Sequence, residues 1–227
     1  YHRDSMHSPV CCRHGIVGFT LIELVVSMGI LFLLAAILLA NYPETAVRLT
    51  LANTTQKLSL MVREAQIRGS AIDSVNSSLG GYGVYMDIAT PTSFLLFGDT
   101  VDPSIPKPYG VSIGNKLFES GNPINETKSI TTLPSRYTIS RLCVGTGFPF
   151  TCNTDNEPEI QTLTISFMRP SPTPYIYING TTTVNFAGAC IELRSPQAPA
   201  FGHIRNVQVF SSGMIRSDIG KCDNSQL

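Results

Sequence analysis

The chain contains one apolar run that is long enough to cross a lipid bilayer. Residues 24–40 carry no charged side chain, and the run extends back to Phe19 with Glu23 as its single charge. A helix from Phe19 to Tyr42 would be about 36 Å long at 1.5 Å per residue, which exceeds the roughly 30 Å thickness of a hydrocarbon core. The sequence therefore predicts one membrane-spanning helix.

The charges before this run predict its orientation. Arg3, Arg13 and His14 precede the helix, and Asp4 is the only acidic residue among them. Short basic flanks stay in the cytoplasm. Residues 1–18 are therefore expected to remain cytoplasmic, while the long C-terminal part is exported from the inner (cytoplasmic) membrane.

The order of features around Gly18 differs from that of an ordinary secretory signal, in which a shorter apolar run precedes a small-residue cleavage site. Here a basic leader comes first, followed by Gly18, then Phe-Thr-Leu-Ile-Glu, and then the apolar run. Residues 18–23 resemble the prepilin peptidase site of type IV pilins and type II secretion pseudopilins. The resemblance predicts a subunit of a helical filament.

This resemblance assigns roles to three residues. Cleavage would follow Gly18, and Phe19 would become the N-methylated terminus of the mature chain. Glu23 would pair with the terminal amine of a neighbouring subunit, since an unpaired carboxylate in a bilayer costs roughly 2.5–3.5 kcal/mol. The implied partners are the prepilin peptidase, an inner-membrane assembly platform and other pilins or pseudopilins. The open alternative is an ordinary signal anchor with a stray glutamate.

Helical periodicity continues beyond the apolar run. Apolar residues recur with helical spacing, at Val47, Leu51, Leu58, Val62, Ala65 and Ile72. Pro43 predicts a kink because it lacks a backbone donor, and the glycine- and serine-rich residues 75–81 predict the end of the helix. The expected organisation is a leader (1–18), a transmembrane and filament-core helix (19–42), its amphipathic continuation (43–74) and an exported β-rich domain (75–227).

Short β-prone runs dominate the exported part. Each run is bounded by turn-forming residues, and the runs cover residues 82–88, 93–97, 129–133, 137–144, 162–168, 175–178, 182–193 and 204–210. The predicted fold class is α+β, with the long N-terminal helix packed on an antiparallel β-sheet domain.

Two further stretches resemble one branch of this family. Residues 61–65 (Met-Val-Arg-Glu-Ala) are similar to the Ala-Arg-x-x-Ala stretch late in the helix of H-type minor pseudopilins and T-type minor pilins. Residues 82–85 and 94–99 resemble their first hairpin. The resemblance implies a minor pilin or pseudopilin that ends in a type IV pilus or a periplasmic type II secretion pseudopilus.

Four cysteines in the exported part form a disulfide framework. Cys143, Cys152, Cys190 and Cys222 allow three pairings, and the short loop between the first two favours Cys143–Cys152 with Cys190–Cys222. The sequence contains no CxxC motif, and His203 is the only histidine beyond the N-terminal segment. Neither a metal site nor a cofactor is therefore predicted.

DNA capture is the alternative function, because some T-type minor pilins bind DNA through a C-terminal Gly-Arg-x-Arg segment. Residues 213–216 read Gly-Met-Ile-Arg, so the first arginine of that motif is absent. Arg205, Arg216 and Lys221, together with Arg194, are the candidate phosphate contacts. The basic and acidic residues balance at 16 each, so nucleic acid is not an expected partner.

Enzymatic activity is not predicted either, because no nucleophile is paired with a base and no phosphate-binding glycine loop is present. Asp99, Asp102 and Glu126 are conceivable calcium ligands. Turn formation is the simpler interpretation of the two aspartates.

Overall fold

The computed structural model describes residues 19–71, 79–100, 114–120, 126–147, 149–153, 160–181, 185–198 and 202–222. Gly18, Cys11, Cys12 and Asp102 lie outside these residues. The chain divides into two compact units, Tyr1–Pro43 and Glu44–Leu227. The described residues form one α-helix and ten strands in two antiparallel sheets, which confirms the α+β class.

Helix α1 runs continuously from Leu21 to Ala71. Pro43 lies inside it and does not end it, because a proline removes only one backbone donor from the hydrogen-bond ladder. The kink at Pro43 remains a prediction. The helix ends at Ala71. Arg68 lies in its last turn, where a basic side chain interacts favourably with the helix dipole.

The first unit carries the candidate membrane span. Residues Leu21–Leu39 have a mean hydropathy of 2.7, and their helix is long and apolar enough to cross a bilayer. A signal sequence near an N-terminus meets the same test of length and composition. All the large apolar side chains of this span are at least half exposed.

The second unit contains both sheets. The first sheet has the order β3-β2-β1-β6-β7 and the second sheet has the order β10-β9-β8-β4-β5. The strands are β1 (Leu79–Asp87), β2 (Ser93–Thr100), β3 (Thr127–Thr132), β4 (Thr138–Gly145), β5 (Thr151–Cys152), β6 (Thr162–Met168), β7 (Pro174–Ile178), β8 (Gly188–Arg194), β9 (Ile204–Phe210) and β10 (Ile215–Ile219). Each predicted run overlaps one of these strands, while β5 and β10 were not predicted.

One buried apolar cluster unites the second unit. Strand side chains alternate between this cluster and the opposite face, as in Val84 and Met86 of β1 and in Ile191 and Leu193 of β8. The cluster also contains side chains from the helical part of the unit, namely Leu51, Leu58, Met61, Val62 and Ala65. Of the six positions that helical spacing predicted, four are buried, namely Leu51, Leu58, Val62 and Ala65. Val47 is partly buried, Ile72 lies outside the described residues, and the buried Met61 was not predicted.

A close approach between Gly69 and the backbone of Phe167 can be tested by substitution. A Cβ at Gly69 would lie 2.4 Å from the backbone oxygen of Phe167 in β6. We expect Gly69→Ala to destabilise the protein by about 1–3 kcal/mol through this clash, although alanine is the better helix former by about 1 kcal/mol. The measurement is urea unfolding of the full chain in detergent, followed by circular dichroism.

Gly147→Ala is the matched control, because a Cβ at Gly147 would meet no atom within 4 Å. We expect little change for this variant. If Gly69→Ala were more stable than the wild-type protein, only the helix propensity of alanine would act at position 69. The close approach to Phe167 would then be absent.

Candidate functional site

The start of α1 has a local capping arrangement. The Glu23 backbone N–H lies 3.3 Å from the Thr20 Oγ1, which accepts a hydrogen bond from it. Thr20 and Glu23 have the spacing of a capping box, in which a threonine precedes a glutamate by three residues. A carboxylate in the first helical turn also interacts favourably with the helix dipole. This second role of Glu23 was not predicted, although the Thr-x-x-Glu spacing is visible in the sequence.

Phe19 and Glu23 are both solvent-exposed, so neither is engaged in the interior of its own chain. Exposure continues along the whole apolar span, where Phe32 remains 75% exposed and Leu24 remains 50% exposed. Contiguous apolar surface of this size marks a membrane or protein interaction site. This helix surface therefore needs lipid or other helices to cover it.

Both disulfides of the favoured pairing are present, Cys143–Cys152 and Cys190–Cys222. Cys143 in β4 lies opposite Cys152 of β5 on one side and opposite Cys190 of β8 on the other. The four cysteines and Phe150 form a small buried cluster. The cluster cross-links the second sheet and fastens the segment around Cys222 to it.

Backbone groups of residues 220–222 are also bound by the second sheet. Asn206 Nδ2 donates to the backbone oxygens of Gly220 and Lys221 at 3.0 and 3.3 Å. Glu192 Oε2 accepts a hydrogen bond from the Cys222 N–H at 3.4 Å. The Lys221 backbone therefore has a structural role in this unit.

The arginines among the candidate phosphate contacts are divided between the two faces of the second sheet. Arg205 lies opposite Ile219 in the β9–β10 register, whereas Arg216 lies opposite Gln208. Because alternate residues point to opposite faces of a sheet, Arg205 and Arg216 are on different faces. Arg216 is also ion-paired with Asp218 at 2.6 Å.

Arg194 is exposed and donates to the Ala198 backbone oxygen at 3.4 Å. It lies opposite Ile204 in the β8–β9 register, one residue away from the position of Arg205. Neighbouring positions on a strand point to opposite faces. Arg194 therefore shares a face of the second sheet with Arg216 and not with Arg205. DNA capture stays a prediction.

Asp99 and Glu126 come together in the interior, which the sequence did not predict. Both are buried, and Asp99 lies within strand β2. The turn interpretation is therefore wrong for Asp99. Glu126 Oε1 and Oε2 accept hydrogen bonds from the backbone N–H groups of Thr100 and Glu119, at 2.6 and 2.9 Å.

The pKa values of Asp99 and Glu126 are both raised. Burial raises the pKa of Asp99 to about 7, hydrogen bonds from the backbone N–H groups of Lys116 and Asn115 oppose that rise, and the nearby carboxyls of Glu126 and Glu119 add to it. Burial likewise raises the pKa of Glu126. No three His, Cys, Asp or Glu side chains in the described part of the chain are arranged to hold a metal ion.

Ser195 and His203 form a second buried polar pair that the sequence did not reveal. Ser195 Oγ lies 2.8 Å from His203 Nδ1, and Arg48 Nε donates to His203 Nε2 at 3.3 Å. Since arginine can only donate, Nε2 is an acceptor and Nδ1 carries the proton. In this tautomer the imidazole cannot take a proton from Ser195 through Nδ1. The pair instead links Arg48 of α1 to the connection between β8 and β9.

No protein-family model matches the chain, and no curated protein or solved structure is significantly similar to it. Functional inference therefore depends on the chain's own residues.

The two disulfides are expected to contribute unequally to stability. Their half-cystines are 32 and 9 residues apart, and a longer closed loop restricts the unfolded chain more. Replacing Cys190 and Cys222 with serine should lower the free energy of unfolding by about 1 kcal/mol more than replacing Cys143 and Cys152. Urea unfolding of the two double variants measures this difference, and a larger loss for the short loop would contradict it.

Proposed function

We propose that this chain is a minor pilin or pseudopilin, a structural subunit of a type IV pilus or of a type II secretion pseudopilus. The observation that supports this most strongly is the sequence of residues 18–23, placed directly before an apolar helical span. The same order makes the chain a substrate of a prepilin peptidase, with cleavage after Gly18 and methylation of Phe19.

The surface of the apolar helix supports an assembly role. Its side chains are exposed around the whole helix, as suits a segment that is covered first by lipid and later by other subunits. Lipid tails are as apolar as leucine side chains, so exchanging lipid for neighbouring helices changes the solvation of the segment little. Such a helix can leave the bilayer for a filament without a large solvation cost.

Glu23 favours the transfer of the helix from the bilayer to the filament. Its carboxylate lies within the apolar segment, where an unpaired charge is costly. Pairing with the Phe19 amine of a neighbouring subunit offsets this cost in the filament. The capping box with Thr20 also explains why a glutamate stands at this position. An experiment must therefore separate the role of the Glu23 charge from its role in the capping box.

The second unit fits an exported domain. Its two disulfides are typical of an oxidising compartment outside the cytoplasm, and we propose that the helical part of this unit packs on the sheets through the shared apolar cluster. Membrane insertion would then leave residues 1–18 in the cytoplasm. The chain acts as a building block whose partners are other subunits and the assembly platform.

Processing is the first test. Full-length chain in membranes is incubated with a prepilin peptidase and its methyl donor, and the product is analysed by mass spectrometry. We expect a mature chain that begins at Phe19 and carries one N-terminal methyl group. Gly18→Val should block cleavage, whereas Gly15→Val in the same leader should not. Cleavage on the far side of the apolar run would instead identify an ordinary secretory signal.

Assembly is the second test. Glu23→Gln removes the charge but retains the cap, because glutamine also serves at this position of a capping box. We expect normal processing and at least a tenfold loss of incorporation into sheared filaments, since an unpaired buried amine costs several kcal/mol. The control is Glu44→Gln, an exposed glutamate beyond the span. Unchanged incorporation of Glu23→Gln would reduce Glu23 to a helix cap.

A further inference from the structure

The face of the first sheet that points away from the apolar cluster is rich in aromatic and hydroxyl side chains. Tyr85 of β1 lies opposite Thr164 of β6, which lies opposite Tyr177 of β7. Phe97 of β2 lies opposite Gly83, and a Cβ at Gly83 would be 2.5 Å from the Phe97 ring. We name this surface the aromatic face.

Residues 114–120 lie on the aromatic face and are named here the cover segment. The Phe118 ring centroid is 4.8 Å from that of Tyr85 and 5.6 Å from that of Phe97. Lys116 Nζ lies 4.0 Å from the centroid of the Tyr175 ring. The cover segment therefore contacts side chains of β1, β2 and β7.

Two buried carboxyl groups hold the cover segment through its backbone. Asp99 Oδ2 accepts a hydrogen bond from the Lys116 N–H at 3.0 Å, and Glu126 Oε2 accepts one from the Glu119 N–H at 2.9 Å. Gly114 is so close that a Cβ there would lie 2.1 Å from the Asp99 carboxyl. Among the described residues, the docked cover segment thus contributes to the enclosure of Asp99.

Because Asp99 is enclosed, its charge state affects whether the cover segment stays docked. Asp99 has no solvent exposure, and its Oδ1 has no hydrogen-bond partner among the described residues. In the described part of the chain, the ionisable groups around it are Glu119 and Lys116 of the cover segment, Glu126 before β3 and Tyr177 of β7. The β1 residue opposite Asp99 is Gly81, which contributes no charge.

The charged form of Asp99 is disfavoured in this setting. The Lys116 ammonium lies over the Tyr175 ring, while two carboxyl groups lie near Asp99. A buried carboxylate with an unpartnered oxygen is costly, and nearby negative charge adds to that cost. The pKa of about 7 reflects this environment.

We propose that the cover segment is a pH-operated latch, which docks on the aromatic face while Asp99 is protonated and lifts from it when Asp99 ionises. A lifted segment returns Asp99 to water, where an aspartate has an ordinary pKa near 3.9. The docked pKa is higher than this value. The contribution of Asp99 to docking is therefore complete below pH 4 and is lost as the pH rises through about 7.

Hydrogen–deuterium exchange of the full chain in detergent tests this latch. After correction for the intrinsic pH dependence of exchange, protection of the Lys116 and Glu119 amides should fall roughly tenfold between pH 6 and pH 8, as expected for one linked proton. The amides of β9 should stay unchanged. Equal protection at both pH values would overturn the proposal.

Substitution identifies the responsible carboxyl. Asp99→Asn should give protection that does not depend on pH, because the amide cannot ionise. The control is Asp87→Asn, which removes a carboxylate that accepts a hydrogen bond from the Ala89 N–H in the turn after β1, and it should retain the wild-type fall. A wild-type fall in Asp99→Asn would assign the effect to another group.

An optical reporter is also accessible, because the chain contains no tryptophan. In Phe118→Trp, emission should shift to longer wavelength between pH 6 and pH 8, and adding Asp99→Asn should abolish the shift. If Asp99→Asn fails to fold, carboxyl carbon NMR of the wild-type chain decides the question. Titration of Asp99 near pH 7 supports the latch, and titration near pH 4 overturns it.

Discussion

The exposed apolar surface of residues Leu21–Leu39 is the constraint on which the behaviour of this chain depends. An isolated helix with such a surface is not stable in water as a free, solvated element. It must be covered by lipid, by detergent or by other helices. The second unit buries apolar side chains in two clusters of its own, whereas the large apolar side chains of the first unit are exposed. Membrane insertion and self-association are two solutions to the same requirement.

Glu23 has a role within its own helix that is compatible with the assembly role proposed for it. Within the chain it occupies the first turn of α1, where Thr20 caps the helix and the dipole favours a negative charge. These interactions leave the side chain exposed. A carboxylate that is already compatible with its own helix remains available to an external amine. The two roles are therefore complementary.

Much of the fold could be predicted because it depends on local pattern. Alternation located eight of the ten strands, and helical spacing located the buried positions Leu51, Leu58 and Val62. Strand β5 has only two residues, and β10 carries the polar sequence Arg-Ser-Asp, so neither has a recognisable apolar alternation. The disulfide pairing could be predicted because Cys152 follows Cys143 by only nine positions.

The buried polar groups were not predictable in the same way. Arg48 and His203 are 155 residues apart in sequence, and their contact exists only after the two sheets and α1 have formed. Asp99 looked like a turn residue because aspartate is common in turns. Its burial follows from the pairing of β2 and from the approach of residues 114–120, which no local pattern encodes. Long-range packing decides where such groups lie.

If the second unit is exported as proposed, the positions of the cysteines impose an order on disulfide formation. A chain that emerges from a membrane from its N-terminal to its C-terminal side can close Cys143–Cys152 as soon as a short stretch has appeared. Cys190 must remain reduced until 32 further residues have followed. In the folded unit Cys190 lies opposite Cys143 in the β4–β8 register, so Cys143 is a possible wrong partner for Cys190 until Cys222 has emerged. Early closure of the short loop protects against this error by occupying Cys143 before Cys190 emerges.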